Sequence, residues 1–174
     1  MIRGPYPATG VRPGLAAELG TLWTAVTRAD GAVGFSMDAP EADIRAAADD
    51  LVEDVRAGRQ QLVALDADGA LAGTVFLRRG DRAVVRHRAD VLKLMVHPGL
   101  QGYGWGKALL DAAVAHATEL GVEQLLLSTR GGTSLPEFYA KQGWTQVGLF
   151  PDALRIGPDD LRDEHWFQLA LGLS

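Results

Sequence analysis

The sequence predicts one α/β domain with a mixed sheet, and the order of its patterns along the chain supports that fold class. In two N-terminal segments the apolar residues recur on one helix face, and after residue 60 they alternate as in strands. A strand-like run, three alternate glycines and a further helical pattern then follow directly, which is the order of a strand–helix–strand unit. A chain of 174 residues suits one domain rather than two. The predicted domain therefore covers residues 1–174.

The N-terminal part of the chain predicts an extended segment and two helices. Residues 1–13 carry three prolines and predict an extended arm or an irregular first strand. One helix begins near Leu15, and its apolar stripe consists of Leu15, Leu19, Leu22, Trp23 and Val26. A second helix follows Pro40 and ends at Gly58. Its stripe consists of Ile44, Ala47, Ala48, Leu51, Val52 and Val55.

The rest of the chain predicts an antiparallel meander, the central strand–helix–strand unit and two closing strands. Residues 61–79 form two predicted strands joined by an Asp68–Gly69 turn, and a third strand covers Val91–Val96. The helix after the glycines leads into the apolar strand "EQLLLSTR", which we expect to be interior. A short helix in "SLPEFYAKQG" ends at Gly143. The strands "WTQVGLF" and "EHWFQLAL" complete the sheet, separated by a predicted loop over 151–163.

Composition and charge exclude several classes of partner and compartment. The net charge of −5 argues against nucleic acid, since duplex binding requires the neutralisation of many phosphates. No apolar run approaches the roughly 18–20 residues that span a bilayer, and the N-terminus lacks the apolar core of a secretion signal. The absence of cysteine removes disulfides and thiolate metal sites. We therefore expect a cytoplasmic protein with no nucleic-acid partner, no membrane partner and no metal.

The stretch from Gln101 to Lys107 places glycines at alternate positions where a strand passes into a helix. Exposed amides at a helix N-terminus bind anionic groups, usually phosphate. A Walker A loop requires a glycine five residues before its Gly-Lys pair and Ser or Thr after it, but Gln101 and Ala108 stand there. The dinucleotide fingerprint requires G-x-G-x-x-G early in the fold, whereas G-x-G-x-G lies mid-chain here. Both of those loops are excluded, and a plain glycine-rich turn is the alternative to a phosphate site.

The pattern Gln101-x-x-Gly104-x-Gly106, directly after "LMVHP", resembles the acyl-CoA loop of the GNAT superfamily of N-acyltransferases. The resemblance covers about 61–171 and includes "LPEFYAKQGWTQVG", which is similar to the family's later helix–strand element. It implies the GNAT acyltransferase fold and acetyl-CoA as the acyl donor. Within the superfamily, "HRADVLKLMVHPGLQGYGWG" and "FPDALRIGPDDLRDEHWFQLAL" look most like the tabtoxin-resistance-type acetyltransferases. That narrower resemblance implies a small-molecule amine as the acceptor.

The resemblance also implies which residues contact acetyl-CoA. In the family, successive loop amides wrap the CoA pyrophosphate, and glycines permit this because they carry no side chain to block close approach. The pantetheine arm adds to a strand edge where two strands splay, which implies backbone contacts from Leu94 and Val96. An amide of Met95 or Val96 is implied as the donor to the thioester oxygen. The implied loop contacts are Gln101, Gly102, Tyr103, Gly104, Trp105, Gly106 and Lys107.

Acyl transfer to an amine needs a base for the ammonium and an acid for the departing thiolate. Tyr139 matches the family's tyrosine and is the implied general acid, the alternative being a half-buried tyrosine with an ordinary hydrogen bond. Asp90 is the first candidate for the base, and the alternative is an aspartate that is exposed or ion-paired beside Arg88. His97 is the second candidate, or a residue that shapes the turn. Ser128 is expected to hydrogen-bond the substrate or a water, where close relatives carry a carboxylate.

A basic run precedes the third predicted strand of this acidic chain. We expect it to be a solvated hairpin surface, and the alternative is recognition of an acidic substrate or of the adenosine 3′-phosphate. The run consists of Arg78, Arg79, Arg82, Arg86, His87 and Arg88.

The predicted function is transfer of acetyl from acetyl-CoA to a primary amine, by direct attack in a ternary complex. Two alternatives remain open: a non-catalytic acyl-CoA-binding sensor or partner module, and a protein N-acetyltransferase. The resemblance is compatible with a homodimer, and the sequence reveals no interface.

Overall fold

The protein is described from a computed structural model that covers residues 1–172, so the last two residues of the predicted domain lie outside the described part. In chain order the elements are β1 (Ile2–Pro7), α1 (Leu15–Arg28), α2 (Glu41–Arg56), β2 (Gln61–Ala67), β3 (Ala70–Arg79), β4 (Arg88–Val96), α3 (Trp105–Glu119), β5 (Gln124–Arg130), α4 (Leu135–Lys141), β6 (Thr145–Gly157) and β7 (Asp160–Ala170).

The seven strands form one mixed sheet in the order β1-β2-β3-β4-β5-β7-β6. Neighbouring strands are antiparallel except for β4 and β5, which run parallel because α3 crosses between them. Asp68 and Gly69 both have positive φ, as a tight two-residue hairpin turn between β2 and β3 requires. The predicted fold class, the meander, the central strand–helix–strand unit and the interior position of β5 are confirmed.

The sheet separates two apolar clusters that are covered by different helices. On one face α3 and α4 pack over the strands, and Leu109, Leu110 and Leu125 are fully buried there. On the other face α1 and α2 cover the sheet around Ile44 and Phe76. The strands between these clusters therefore have little freedom to shift. Within residues 1–172, no helix combines the length and the apolarity needed to cross a bilayer.

An ion-pair network attaches the N-terminal segment to the sheet. β1 pairs with β2, and its register shifts between Arg3 and Tyr6, so this first strand is irregular. Arg12 makes two hydrogen bonds of 2.9 Å to the carboxylate of Asp66, which also accepts from the Tyr6 hydroxyl. Arg12 contacts Glu18 on α1 at 2.6 Å as well. These bonds lower the pKa of the Asp66 carboxyl, chiefly through Arg12.

The predicted loop over 151–163 is wrong, because this segment is the outer half of a long hairpin. β6 continues to Gly157, and β7 begins only three residues later at Asp160. The register shifts between Phe150 and Leu154, so the ladder is irregular there. Two prolines and this irregularity remove the period-two pattern on which a sequence-based strand prediction depends. The hairpin leaves β6 as an outer edge of the sheet.

We expect Asp66→Asn to lower the free energy of unfolding by roughly 2–3 kcal/mol, because it removes one partner of a largely buried ion pair. The folded-state pKa of Asp66 is lowered, so its contribution is complete above the unfolded pKa of about 3.9 and is lost as the pH falls through the folded value. Denaturant unfolding between pH 3 and pH 7 would show the two proteins converging at low pH. The exposed Asp81→Asn serves as control and should change little; a constant difference at all pH values would contradict the assignment.

Candidate functional site

The parallel strands β4 and β5 pair over only three positions, from Arg88 opposite Gln124 to Asp90 opposite Leu126. Beyond that point β4 continues to Val96 and β5 to Arg130 without pairing to each other. The facing backbone groups of both strands therefore lack a ladder partner inside a packed sheet. Backbone donors and acceptors are paired almost everywhere else in folded proteins. The gap between β4 and β5 is accordingly a candidate ligand site.

The edge of β4 presents backbone groups of Leu94 and Val96 to this gap. The amide of His97 donates to the carbonyl of Ala72 on the β3 side at 2.8 Å, so strand alternation points the polar groups of Val96 and Leu94 away from β3. The Val96 carbonyl accepts a hydrogen bond of 3.0 Å from the Gln101 side chain. The same alternation turns the Met95 amide towards β3. Of the two amides predicted to face a thioester oxygen, the geometry favours that of Val96.

A β-bulge in β4 places Lys93 on the face that α1 and α2 cover. Opposite β3 the register shifts between Thr74 and Phe76, and Lys93 has a φ of 50°. The Thr74 hydroxyl donates to the Lys93 carbonyl at 3.0 Å, which stabilises the bulge. The Lys93 ammonium donates to the Val33 carbonyl at 3.2 Å and lies 5.0 Å from the Trp23 ring centroid. Burial lowers the pKa of this ammonium.

The loop that follows β4 presents a row of unpaired amides at the start of α3. None of the amides from Gly102 to Lys107 donates to a group within residues 1–172. Gly102 and Gly104 have φ values of 83° and 86°, which glycine adopts without strain. Gly106 has no such requirement, and a Cβ built at any of the three glycines would meet nothing within 4 Å. Packing therefore does not explain Gly106, whereas an anion resting on these amides would.

The side chains of this loop differ in how firmly they are held. Lys107 forms an ion pair of 2.6 Å with Asp111, but both side chains are more than half exposed, so the pair contributes little stability. Lys107 is therefore free to exchange that carboxylate for a phosphate. Tyr103 is 77% exposed, and Trp105 packs partly against the apolar cluster under α3. Gln101 is attached to the end of β4 by the bond described above.

Tyr139 lies on α4 in an aromatic cluster on the α3 side of the sheet. Its ring centroid is 5.1 Å from that of Phe138, 6.1 Å from that of Trp144 and 5.9 Å from that of Phe167. Only 6% of the residue is exposed. Burial raises the pKa of the phenol, so it is protonated at every physiological pH. Its hydroxyl has no hydrogen-bond partner among residues 1–172.

Asp90, the first candidate for the base, and Ser128, expected to hydrogen-bond the substrate or a water, lie at different depths of the gap. Asp90 occupies the last paired position of β4 and contacts Arg78 at 2.9 Å, rather than the neighbouring Arg88. Ser128 lies beyond the last pair, is exposed, and stands directly opposite Trp166 of β7. The open part of the gap therefore contains Ser128 but not Asp90.

His97 and the basic run have structural contacts in the described chain. The His97 ring accepts from the Gly99 amide at 3.1 Å, which shapes the turn after β4. Arg79 donates to the carbonyl of Leu120 at the C-terminal end of α3, at 3.2 Å. That end is roughly 22 Å from the row of free amides, since α3 has 15 residues. The contact of Arg79 favours a surface role over recognition of a phosphate at the loop.

Two residues of the gap, Lys93 and Arg130, are absent from the site predicted from sequence. Arg130 is 6% exposed, and its guanidinium donates to the Asp30 carbonyl at 2.7 Å and to the Asp30 carboxylate at 3.2 Å. Lys93 and Arg130 thus attach the loop between α1 and α2 to both splayed strands. The lysine inside the apolar run "VLKLMV" is the one sequence signal for Lys93. A strand prediction assumes that residues alternate strictly between the two faces, so it does not reveal the bulge that moves Lys93 to the α1/α2 face.

Other parts of the described chain offer weaker candidates. A groove of about 590 Å³ lies between the start of α1 and α2, and it is separate from the gap. The arginines on its lining, Arg12, Arg45 and Arg56, are already paired with Glu or Asp side chains. No group of three metal-binding side chains occurs among residues 1–172. The splayed strands and the free amides remain the best-supported site.

The family model described as acetyltransferase (GNAT) domain matches residues 58–146. A mycothiol acetyltransferase from Propionibacterium freudenreichii is 38% identical over 95 residues, which are 52% of this chain and 30% of that protein. One from Beutenbergia cavernae is 34% identical over 89 residues, 51% of this chain and 29% of that protein. The chain thus aligns with less than a third of the length of these relatives.

Solved structures share the fold over nearly the whole chain. A GNAT-family acetyltransferase from Streptococcus pneumoniae has a TM-score of 0.76 at 19% identity, with 98% of this chain and 99% of that chain covered. A Salmonella typhimurium protein solved with its cofactor acetyl-CoA has a TM-score of 0.74 at 16% identity, with coverage of 100% and 95%. At these identities the likeness shows the fold alone.

We expect Arg130→Met to loosen the loop between α1 and α2, because the variant loses both hydrogen bonds to Asp30. Hydrogen exchange at the Gly31 and Val33 amides, which are hydrogen-bonded in this loop, should accelerate, while exchange in α3 stays unchanged. Arg155→Met, which removes an exposed contact in the distant hairpin, is the matched control and should leave these two amides protected. Unchanged exchange at both amides in Arg130→Met would show that this arginine does not hold the loop.

Proposed function

The chain belongs to the GNAT acetyltransferase domain family, and on that premise we propose that it transfers an acetyl group from acetyl-CoA to a primary amine of a small molecule. The observation that carries the proposal is the row of free amides from Gly102 to Lys107 at the mouth of the gap between β4 and β5. Such a row suits a diphosphate, because each phosphate oxygen can accept several N–H bonds at a helix N-terminus.

The two parts of the site suit the two ends of acetyl-CoA. The diphosphate would rest on the loop amides with Lys107 beside it, and the pantetheine arm would take the free edge of β4 at Leu94 and Val96. The amide groups of the pantetheine arm can then form the hydrogen bonds that the edge of β4 lacks. The Salmonella typhimurium protein with the same fold contains acetyl-CoA as its cofactor, which supports this assignment.

Direct attack of the amine on the thioester would form a C–N bond and break the C–S bond. The Val96 amide is the donor we assign to the oxygen that gains charge in the transition state. Tyr139 would donate its proton to the departing thiolate. Burial raises the pKa of the phenol and keeps it protonated, and an apolar pocket also disfavours the charged thiolate that the proton would neutralise.

The amine substrate must lose a proton from its ammonium form, and a second group of the protein has to take that proton. Asp90 remains our candidate for the base, acting through water because its carboxylate is paired with Arg78 at the closed end of the gap. Ser128 is exposed on β5, two residues beyond Leu126, which is the partner of Asp90. We assign to Ser128 the binding of that water or of the acceptor. The identification of Asp90 and Ser128 is a prediction from sequence.

A small-molecule acceptor is favoured by the loop between α1 and α2, which hydrogen bonds from Lys93 and Arg130 attach across the gap. An extended peptide would need that side to be open. The mycothiol acetyltransferases act on a small molecule by name, in agreement with this proposal. Two alternative functions stay predictions from the sequence: a protein N-acetyltransferase and a non-catalytic acyl-CoA sensor. The same holds for the tabtoxin-resistance-type subgroup, the homodimer and the cytoplasmic location.

We expect Gly106→Val to weaken acetyl-CoA binding at least about tenfold, because its side chain would occupy the space above the loop amides. Helix stability should change by less than about 1 kcal/mol, since glycine is itself a poor helix former. Gly106 is a sharper test than Gly104, whose positive φ would add strain to any substitution.

Isothermal titration calorimetry with acetyl-CoA measures the effect, with thermal unfolding as the check on folding. The matched control is Ala115→Val, which adds the same side chain at an exposed position near the other end of α3. Equal affinity in a folded Gly106→Val protein would rule out the phosphate role of the loop.

We expect purified protein to release free thiol from acetyl-CoA when a panel of primary amines is supplied. Tyr139→Phe should lower kcat by about 100-fold or more if the phenol is the proton donor. Phe138→Leu alters the same aromatic cluster but leaves the hydroxyl intact, and it should keep most of the activity. Acetyl-CoA binding without thiol release from any amine would support the sensor alternative instead.

A further inference from the structure

Four polar side chains lie on the α1/α2 face beside the gap, and each of them carries a hydrogen-bond donor. Leu127 and Phe167 belong to the apolar cluster on the α3 face, so strand alternation directs their neighbours Ser128 and Trp166 to the opposite face. Arg130, two residues after Ser128, shares that face. The bulge adds Lys93 from β4 to the same set. This side of the gap is therefore rich in donors.

Lys93 is partly buried and has no anionic partner within residues 1–172. Its ammonium reaches one carbonyl, that of Val33, and the face of the Trp23 ring. An ammonium has three donor protons, so two of them have no partner of comparable strength. A cation partly withdrawn from water without a carboxylate costs free energy, and burial lowers the pKa of Lys93 in agreement with that cost.

Arg130 and Trp166 show the same deficiency. The Arg130 side chain contacts Asp30, but its Nε is buried and has no partner in the described chain. The indole Nε1 of Trp166 is likewise buried without a partner. Asp30, the carboxylate that contacts Arg130 within residues 1–172, is 61% exposed and therefore neutralises it incompletely. Donors without acceptors accumulate here rather than paired groups.

A carboxylate is the group that this arrangement lacks, since it accepts several hydrogen bonds and neutralises a cation. We propose that the amine acceptor carries a carboxylate near its amino group, and that Lys93 and Arg130 bind this carboxylate on the α1/α2 face of the gap. The inference rests on the proposed acetyl transfer and specifies its acceptor as an amino acid or a similar amino carboxylate. An acidic chain with a net charge of −5 does not attract anions in general, so the selection must be local.

The first test compares free amino acids with their carboxamides, in which a neutral amide replaces the carboxylate. Calorimetric titrations into the protein saturated with CoA should give, for the acid of the best-bound pair, a Kd at least about tenfold lower than for its amide. Equal affinity within every pair, or binding by no carboxylate in the panel, overturns the inference.

The second test uses Lys93→Met, which keeps the length of the side chain and removes the charge. The ratio of kcat/KM for acid over amide, measured by thiol release, should fall from about tenfold or more to near one. Lys141→Met is the matched control, because it removes an exposed lysine on α4 that pairs only with Glu137, and it should keep the ratio. An unchanged ratio in folded Lys93→Met excludes Lys93 as the selective group.

The two proposals fail differently. Thiol release with acids and amides at equal efficiency leaves acetyl transfer intact and removes only the preference for carboxylates. Failure to bind acetyl-CoA in the same calorimeter removes the acetyl transfer itself, whatever the amino acids do.

Discussion

The early end of pairing between β4 and β5 is the constraint on which the rest of this structure depends. Three paired positions are enough to join the meander to the C-terminal strands, and the remaining length of both strands is left apart. Parallel strands in a closed sheet would instead satisfy each other's backbone groups along their whole length. Because the two strands separate, the sheet contains an opening that two apolar clusters keep from collapsing.

The bulge at Lys93 and the loop at Gly102–Lys107 both extend the effect of this opening. The bulge changes which face of β4 the following residues occupy. Lys93 therefore lies on the face covered by α1 and α2, and Leu94 packs on the face covered by α3. The loop then ends β4 with amides that face outward. Beside the opening, Arg130 Nε and Trp166 Nε1 are buried without a partner in the described chain, and an unpaired buried donor costs about 1–3 kcal/mol. These donors distinguish the opening from the paired ionic network around Arg12.

Much of the fold could be predicted because its signals are local. Asp68–Gly69 between alternating strands, the helix stripes and the alternate glycines each depend on a few adjacent residues, and the structure agrees with them. The hairpin over 151–163 could not be predicted, because its irregular register hides the alternation. Lys93 and Arg130 were missed for a related reason: the bulge and the contact with Asp30, 100 residues away in sequence, exist only in three dimensions.

Under the proposed function, the free amides of the loop also make the stability of the protein conditional on its surroundings. A molecule that binds the folded chain and not the unfolded chain raises resistance to heat by mass action, by about 2.7 kcal/mol at a concentration one hundred times its Kd. In the proposed function Gly106, which the isolated fold does not require, keeps the space above these amides open for that molecule. A cell depleted of the proposed coenzyme would then hold a more easily melted population of the protein, so that turnover of the chain itself would follow the metabolic supply of its acyl donor.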